Sequence, residues 1–339
     1  MLKLRVEAIQ PETSDAATFY LKEASGKKVT YLAGQFITLI FSHHNEEIRR
    51  SYSLSSSPHE DLLAITVKRV SNGEISRYLL AHAKIGDIWQ AVEPAGRFTL
   101  PPNVDAIKTI VYFAAGGGIT PVYAHLKYLL HQHAHCRVIL FYSNQSSDNT
   151  LFSDELKAIA AQHPEQFALI NMVSSEGRRL NNVMAEQLFK QYAGSDLLNA
   201  HYYLCGPFTY MRMLQLTLLY MGVNRSHMHK ENFVLETVPV NTNASHFIAQ
   251  PLRIRYHNEW YNLVVGENQT ILQAALQNQL PLPYSCANGV CAACAVKCKS
   301  GKVAIVKSEV LTNDELQQGW ILTCTGYAAS NDVVLDFDI

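Results

Sequence analysis

Charge of either sign is scarce in this 339-residue chain. Asp, Glu, Lys and Arg together make up 17% of the residues, the formal net charge is −1, and no basic run or basic aromatic patch offers a footprint for nucleic acid. A long apolar run is also missing, because the most apolar stretch, residues 109–130, is interrupted by three glycines and by Pro121. With no apolar signal segment either, we expect a cytoplasmic protein without a membrane span.

Cysteine is sparse as well, and seven cysteines in a chain of this length do not resemble a small secreted disulfide framework. Four of them, Cys286, Cys291, Cys294 and Cys324, follow the pattern C-x4-C-x2-C with a distant fourth cysteine, which is the plant-type spacing for a [2Fe-2S] cluster. Soft, anionic thiolates suit ferric iron. A zinc ribbon, the alternative, usually has two C-x2-C knuckles. The pattern therefore predicts an electron-transfer protein.

The other three cysteines need separate explanations. Cys298 is interpreted as a bystander, because a cluster takes four ligands. Cys136 ends the histidine-rich run 131–136, for which we expect a solvated helix-to-strand connection rather than a metal site. Cys205 follows an apolar strand and is considered below.

Hydrophobic patterning divides the chain into domains. Residues 1–103 alternate apolar and polar positions in short runs, which predicts an antiparallel β-barrel. Residues 104–235 alternate apolar strands with helical segments, which predicts a parallel α/β sheet. Residues 236–250 are polar and contain a proline, so we interpret them as a linker. The cysteine-bearing domain then occupies residues 251–339.

A glycine-rich turn joins a predicted strand over 109–115 to a predicted helix over 122–133. Its residues, Gly116 to Pro121, could let backbone amides approach a pyrophosphate, with Thr120 capping the helix and Pro121 in its first turn. A structural turn that merely needs positive φ is the alternative.

Two features of residues 1–103 are suited to binding a phosphate group and an aromatic ring system. The strand Arg50-Ser51-Tyr52-Ser53 would direct Arg50 and Tyr52 to one face and the two serines to the other. An ordinary barrel strand with a surface arginine is the alternative. Gly73, Ile75 and Ser76 precede or begin an apparent helix over 77–83, where they would either receive phosphate or cap the helix.

In this order the motifs resemble the ferredoxin-NADP reductase superfamily, in which an R-x-Y-S/T strand binds FAD while a G-x-G-x-x-P turn and a C-G-P motif serve the nicotinamide nucleotide. The matching segments are Arg50–Ser53, Gly116–Pro121, Cys205–Pro207 and the G-Q-F strand Gly34–Phe36. The order FAD, NAD(P), [2Fe-2S] is similar to that of the reductase components of phenylacetyl-CoA epoxidases and related oxygenases. The resemblance implies a multidomain protein: an antiparallel FAD barrel, an α/β NAD(P) domain and an α+β, β-grasp-like ferredoxin domain.

The resemblance also implies roles at the flavin. Arg50 would pair with FAD phosphate, Tyr52 would stack on the isoalloxazine, Ser53 would bond near flavin N5, and Ser51 belongs to the same binding strand. Glu231 aligns with an acidic position near the flavin. Residues implied to hold the FAD pyrophosphate are Gly73, Ile75 and Ser76.

At the nicotinamide nucleotide, Gly116 and Gly118, followed by Thr120 and Pro121, would admit the pyrophosphate. Cys205, followed by Gly206 and Pro207, would lie beside the nicotinamide ring, so that Ser53, Cys205 and Glu231 are the implied catalytic residues.

The choice between NADH and NADPH stays open in the sequence. Many relatives carry arginine at the end of the second strand of this domain, where an arginine could bind a 2′-phosphate, whereas this chain has Gln145. Arg178 and Arg179 after the next strand could compensate, and Ser174 and Ser175 could add hydroxyl donors.

Electron counting gives the expected function. A nicotinamide delivers two electrons, a cluster accepts one, and a flavin can take a pair and release it singly. The expected enzyme is an NAD(P)H:acceptor oxidoreductase that serves a protein acceptor, in the first place an oxygenase. One alternative is a reductase whose acceptor is a desaturase or a hybrid-cluster enzyme. The other is a redox sensor without turnover.

Overall fold

The computed structural model describes residues 1–43, 46–71, 73–133, 135–233 and 247–338. The chain divides into two compact units, residues 1–234 and 235–339. The predicted linker falls outside the described residues up to position 246, and Gln250 already begins a strand. None of the described helices is long and apolar enough to cross a lipid bilayer.

The first part of the chain is an antiparallel barrel, as its alternating pattern predicted. The six strands are hydrogen-bonded in the order β4-β3-β6-β1-β2-β5, and a bridge between Leu54 and Ile65 joins the two ends of that order. Apolar side chains from alternate strand positions fill its interior. Its elements are β1 (Leu2–Thr13), β2 (Ala16–Glu23), β3 (Phe36–His43), β4 (Glu46–Ser53), β5 (Leu63–Lys68), α1 (Glu74–His82) and β6 (Ile88–Ala95).

The second part is a parallel sheet of five strands in the order β11-β10-β7-β8-β9, again as predicted. Its elements are β7 (Thr109–Ala115), α2 (Ile119–Gln132), β8 (Arg137–Asn144), α3 (Ser153–Gln162), β9 (Phe167–Val173), α4 (Asn182–Ala193), β10 (His201–Cys205), α5 (Phe208–Tyr220) and β11 (Met228–Glu231). Helices cover both faces, since Tyr112 of β7 packs with α2 while its neighbour Phe113 packs with α4 and α5.

Strand order in this sheet creates a crevice. The chain runs from β7 outward to β8 and β9, then crosses back to β10 and β11 on the other side of β7. Such a reversal opens a gap beyond the carboxyl ends of the two central strands, where ligands bind in open α/β sheets. Here those strands are β7 and β10, so the crevice is bordered by the glycine turn and by Cys205.

His125 of α2 joins the barrel to the α/β sheet. Its imidazole is completely buried, and Nε2–H donates to the carbonyl oxygen of Ala33 at 3.0 Å. Burial lowers the pKa of His125 to about 4, so the ring is neutral at pH 7. Gly34 has a φ of +86°, and a Cβ there would come within 1.9 Å of the Phe98 carbonyl oxygen. Glycine is required at this joint, which fixes the barrel strands against the sheet.

The C-terminal unit is a mixed sheet in the order β13-β12-β18-β14-β16, with a separate pair β15-β17. Helix α6 starts with a capping box at Thr270 and buries its apolar side against the sheet, which gives the predicted α+β arrangement. Its elements are β12 (Gln250–Tyr256), β13 (Glu259–Val265), α6 (Ile271–Gln277), β14 (Ala295–Ser300), β15 (Val303–Ile305), α7 (Asn313–Gln317), β16 (Trp320–Leu322), β17 (Gly326–Ala328) and β18 (Val333–Asp336).

The expectation of a solvated connection before β8 holds only in part, because His135 is exposed whereas His133 and Cys136 are buried. Cys136 has no exposed surface, and His133 is buried with Nδ1 2.7 Å from Asp105 Oδ1. The Cys136 side chain belongs to the hydrophobic core, and Gln166 Nε2 donates to the carbonyl oxygens of both His133 and Cys136.

Candidate redox site

Strand β4, the first strand in the hydrogen-bonded order of the barrel, carries the predicted flavin motif. Arg50 is exposed, and Tyr52, two residues on and therefore on the same face, is half-buried. Burial raises the pKa of Tyr52 to about 12 against the opposing charge of Arg50, so its phenol stays neutral. Ser51 faces the other way, where its hydroxyl pairs with that of Thr38 at 2.8 Å. A cation and a flat ring thus share one face of the strand.

Helix α1 begins at Glu74, three residues before the predicted start. Gly73 is its N-cap residue, no side-chain hydrogen bond caps it within the part of the chain described, and Ile75 is buried. Ser76 Oγ accepts from the amide of Val70 and donates to the carbonyl oxygen of Gly73, both at 3.2 Å. A Cβ on Gly73 would meet Ser76 Oγ at 2.7 Å, so glycine keeps this first turn compact. Ser76 is therefore held by the loop before α1, and its hydroxyl does not cap the helix.

The glycine turn lies between β7 and α2 at the crevice. Gly118 packs directly on the backbone of β10, since a Cβ there would come within 2.1 Å of the Cys205 carbonyl oxygen. Thr120 does not cap α2 as expected: the helix starts one residue earlier, and the hydroxyl donates to the Gly117 carbonyl oxygen at 3.1 Å. Pro121 is in the first turn, as predicted. Gly116 has a φ of +53° and open space around its Cα.

Across the crevice, Cys205 ends β10 and Pro207 is the N-cap residue of α5. Gly206 lets the two strand ends approach, because a Cβ there would be 2.9 Å from that of Ala115. Burial raises the pKa of the Cys205 thiol well above its ordinary value, so the thiol is neutral.

The three residues implied to be catalytic come together although they are far apart in sequence. Cys205 pairs in register with Glu231 on neighbouring strands β10 and β11. The hydroxyl of Ser53, from the barrel, donates to Glu231 Oε2 at 3.4 Å. Burial raises the pKa of Glu231 to about 8, with the Ser53 hydrogen bond opposing, so most of this carboxyl is protonated at pH 7.

Asn232 lies beside this group and was missed by the sequence reasoning. Its Oδ1 is buried and has no hydrogen-bond partner among the described residues. A buried acceptor left unsatisfied is a feature that a polar ligand group would complete. No pattern in the sequence distinguishes this asparagine from any other.

The segments considered for nucleotide choice also meet at the carboxyl ends of the strands. The amide of Ser175 donates to the carbonyl oxygen of Gln145 at 3.0 Å, which joins the loop after β9 to the end of β8. Arg178 and Arg179, further along that loop, are exposed, as is Ser174.

The four motif cysteines converge in the C-terminal unit. The amide of Cys286 donates to Cys291 Sγ at 3.5 Å, and the amide of Asn288 donates to Cys286 Sγ at 3.4 Å. Cys324 is brought to Cys294 because the amide of Thr323, its neighbour in the chain, donates to the Cys294 carbonyl oxygen at 3.2 Å. Within the described residues no three ligands surround a point as they would around a single ion. Four cysteines are the number that a [2Fe-2S] cluster requires, two for each iron.

The loop that carries these cysteines is held in a tight, high-energy conformation. Ala287 and Ala292 adopt positive φ values of 50° and 53°, which non-glycine residues seldom do. Gly289 has a φ of +74°, and a Cβ there would be 2.6 Å from the Lys307 carbonyl oxygen. Strain of this kind persists where the surroundings impose it, often around a bound group. Cys298 lies apart in β14, where its thiol donates to the Ser300 carbonyl oxygen.

Comparison with known proteins gives a consistent result. Residues 3–100 match an oxidoreductase FAD-binding domain, residues 113–216 an oxidoreductase NAD-binding domain, and residues 255–329 a 2Fe-2S iron-sulfur cluster binding domain. The chain is 30% identical over 352 residues to one of the subunits of 1,2-phenylacetyl-CoA epoxidase from Escherichia coli (strain K12), and the match covers 99% of this chain and 97% of that protein. The chain belongs to the same family of oxidoreductases.

This ferredoxin-NADP reductase superfamily flavoprotein has two further informative relatives. It is 30% identical over 347 residues to the ferredoxin reductase component of 3-ketosteroid-9-alpha-monooxygenase from Rhodococcus rhodochrous, covering 98% of this chain and 96% of that one. Phthalate dioxygenase reductase has the same fold, with a TM-score of 0.63 at 24% identity over 99% of this chain and 98% of that chain. The flavoprotein therefore uses FAD, a [2Fe-2S] cluster and a pyridine nucleotide donor, as its motifs predicted.

Proposed function

We propose that this flavoprotein is the reductase component of a multicomponent oxygenase, and that it delivers single electrons from NAD(P)H to the oxygenase protein. The observation that carries the proposal is the meeting of Ser53 from the barrel with Cys205 and Glu231 from the parallel sheet. A donor bound over β7 and β10 and a flavin bound along β4 would then face each other at this point. The relatives named as monooxygenase components support the choice of an oxygenase as acceptor.

Flavin binding is assigned to the shared face of β4 and to the first turn of α1. Arg50 would neutralise phosphate charge with an exposed guanidinium, and the neutral ring of Tyr52 would stack on the isoalloxazine. Gly73, Ile75 and Ser76 would hold the pyrophosphate at the uncapped amides of α1. When bound, FAD converts a two-electron donor into single electrons that an iron–sulfur cluster can accept.

Donor binding is assigned to the crevice between β7 and β10. Gly116 and Gly118 would let backbone amides approach a pyrophosphate, with Thr120 and Pro121 shaping the start of α2. Cys205, Gly206 and Pro207 form the opposite wall. The neutral, buried Cys205 thiol would serve as a packing surface for the nicotinamide ring rather than as a nucleophile.

Proton handling is assigned to Ser53 and Glu231. A carboxyl with a pKa near 8 can hold or release a proton close to neutral pH, and the hydroxyl of Ser53, the last residue of β4, donates a hydrogen bond to it at 3.4 Å. The cluster would be held by Cys286, Cys291, Cys294 and Cys324, whose thiolates suit ferric iron.

Absorption spectroscopy and turnover test this proposal directly. The purified full chain is expected to show flavin bands and reddish-brown cluster absorbance that NAD(P)H bleaches, and to reduce cytochrome c catalytically. A colourless, zinc-containing protein would contradict the cluster assignment. A protein with both cofactors but negligible turnover with artificial acceptors would support the redox-sensor alternative instead. Electron delivery to a purified terminal oxygenase, compared with a desaturase and a hybrid-cluster protein, would then decide the acceptor class.

A further inference from the structure

A pocket of about 880 Å³ opens on the barrel beside the first turns of α1. Its wall includes Ile75 and Tyr78 of α1, Phe41 near the end of β3, Glu47 near the start of β4 and Ile88 at the start of β6. We call it the α1 pocket. Small-molecule sites in proteins enclose roughly 300 to 1,000 Å³, so this pocket has the volume of a ligand site.

The α1 pocket borders the residues assigned to the FAD phosphates. Ile75 lines the pocket and belongs to the turn that is proposed to hold the pyrophosphate. On β4, Glu47 lies three residues before Arg50, about 10 Å along the strand. A flavin nucleotide whose phosphates lie at Arg50 and at the start of α1 therefore has the α1 pocket within reach of the group beyond its phosphates.

Aromatic and aliphatic surface is open to a ligand in the α1 pocket. Tyr78 is 52% exposed and Ile88 is 59% exposed, and both line it. The half-buried Phe41 and the buried Trp89 add further apolar wall. His82, one turn further along α1, packs against the Tyr78 ring with the ring centroids 5.3 Å apart. A flat apolar group can stack on a ring that is exposed and held in this way.

The charged groups that line the α1 pocket, within the part of the chain described, are all carboxylates: Glu47, Glu74 and Asp87. Glu47 Oε1 accepts from Arg49 Nε at 2.6 Å. Asp87 Oδ2 accepts from the amide of Lys84 at 2.8 Å. The negative charge opposes entry of a phosphate group, whereas carboxylate oxygens accept hydrogen bonds from N–H and O–H donors. The pocket therefore suits an uncharged aromatic group that carries donors.

We propose that the α1 pocket holds the adenosine half of FAD. The inference rests on the proposed function, which assigns the FAD phosphates to Arg50 and to the first turn of α1. Adenosine is aromatic and uncharged, and its donors are an exocyclic amino group and the ribose hydroxyls. Tyr78 stacks on the adenine ring, while Glu47 and Glu74 accept from the amino group and the ribose. Glu74 and Tyr78 are four residues apart on α1 and lie on the same face of the helix, so one bound group contacts both.

This assignment gives the pocket a role in the choice between FAD and FMN. Both nucleotides carry the isoalloxazine, the ribityl chain and a phosphate, which the face of β4 and the start of α1 would bind in either case. Only FAD carries an adenosine beyond its phosphates. Removing the aromatic wall of the α1 pocket should therefore weaken the binding of FAD and leave that of FMN unchanged.

Flavin titration of the full-length chain tests the assignment. The protein is stripped of flavin with its cluster retained, and quenching of flavin fluorescence gives the Kd for FAD and the Kd for FMN. In Tyr78→Ala the Kd for FAD is expected to rise about tenfold to a hundredfold, the range expected when an aromatic ring is removed from a stacked base. The Kd for FMN should not change. Tyr78→Phe keeps the ring and should bind FAD as the wild type does.

Tyr220→Ala is the matched control, because it removes a tyrosine that is 82% exposed on α5, outside the barrel. It should leave both Kd values unchanged. Ile88→Ala shortens a second exposed side chain of the wall and should raise the Kd for FAD severalfold without changing that for FMN. This variant replaces Tyr78→Ala if the latter melts at a lower temperature than the wild type.

Three results would overturn the assignment while leaving the proposed function intact. The first is a ratio of the two Kd values that is the same in the wild type, Tyr78→Ala and Ile88→Ala. The second is a wild type that binds FMN as tightly as FAD. The third is a higher KM for NAD(P)H in Tyr78→Ala with unchanged flavin binding, which would show that the pocket takes the adenosine of the donor. A wild-type chain that binds neither flavin would instead overturn the proposed function.

Discussion

Glu231→Gln keeps the shape of a side chain at the centre of the proposed site while removing its ionisable group. In the folded chain burial raises the pKa of Glu231 from 4.5 to about 8. The unfolded chain therefore ionises this carboxyl more readily than the folded chain does, and stability falls as the pH rises from about 4.5 to about 8. Below this interval the carboxyl is protonated in both states and has no such effect.

The size of the effect follows from the shift. At about 1.4 kcal/mol per pKa unit, ionisation of Glu231 lowers the free energy of unfolding at pH 7 by about 3 kcal/mol relative to pH 4. The side chain retains some exposure, so water reduces the penalty and this figure is an upper value. Glu231→Gln removes the penalty. Its gain in stability over the wild type should therefore be small at pH 5 and reach about 2 to 3 kcal/mol at pH 7.

Urea unfolding at pH 5, 6, 7 and 8, with saturating FAD and followed by flavin circular dichroism, would measure this difference. Glu165→Gln, at an exposed position of the same unit, is the control and should leave the pH dependence unchanged. A stability difference between Glu231→Gln and the wild type that stays constant from pH 5 to pH 8 would refute the buried-carboxyl argument. We also expect the variant to oxidise NAD(P)H more slowly, because the amide cannot exchange a proton.

Three further substitutions test the binding assignments. Gly118→Ala would place a methyl group 2.1 Å from the β10 backbone. The clash should raise the KM for NAD(P)H at least tenfold in steady-state kinetics, and it should lower the free energy of unfolding by about 1 to 3 kcal/mol in thermal melts. Cys291→Ser should lose the cluster absorbance and cytochrome c reduction while NAD(P)H still bleaches the flavin. Arg178→Ala should raise the KM for NADPH by about tenfold and leave that for NADH unchanged, if the exposed guanidinium pairs with the 2′-phosphate, which NADH lacks.

Matched controls exist for the first two. Gly117→Ala adds the same methyl group next door, where no protein atom lies within 4 Å, and should melt at the same temperature as the wild type. Cys298→Ser removes a thiol from β14 outside the motif and should keep the cluster. Equal thermal midpoints for Gly118→Ala and Gly117→Ala, or loss of the cluster in Cys298→Ser, would contradict the respective argument. Equal changes in the KM for NADH and the KM for NADPH in Arg178→Ala would show that the arginine does not bind the 2′-phosphate.

Much of the fold was predictable because local patterns of apolar residues and glycines in the sequence indicate where strands and helices lie. The strand over 109–115 was predicted to the residue, since a buried parallel strand is a short apolar run bounded by a glycine turn. Helix starts were less accurate. Helix α2 begins at Ile119, earlier than predicted, because the glycine turn itself is helical and continues into it. Helix α1 likewise begins at Glu74, directly after Gly73.

Burial was harder to predict than secondary structure. The histidine-rich run before β8 is polar in sequence, yet Cys136 and His133 are buried, and Gln166, 30 residues beyond Cys136, donates to the carbonyl oxygens of both. Thr120 has the right residue type for a helix cap but lies inside the helix. Both errors arise because the partners of a polar side chain are set by tertiary contacts, not by its neighbours in sequence.

The sequence by itself determined the cofactor set and the order of the domains, because cysteine spacing, glycine turns and strand patterns are local properties of the chain. Tertiary structure decided what those residues can do chemically. Ser53 and Glu231 meet only because His125 joins the barrel to the sheet and the strand order places β11 beside β10. The raised pKa of Glu231 follows from that packing, since burial and distance between remote segments exist only in the folded chain.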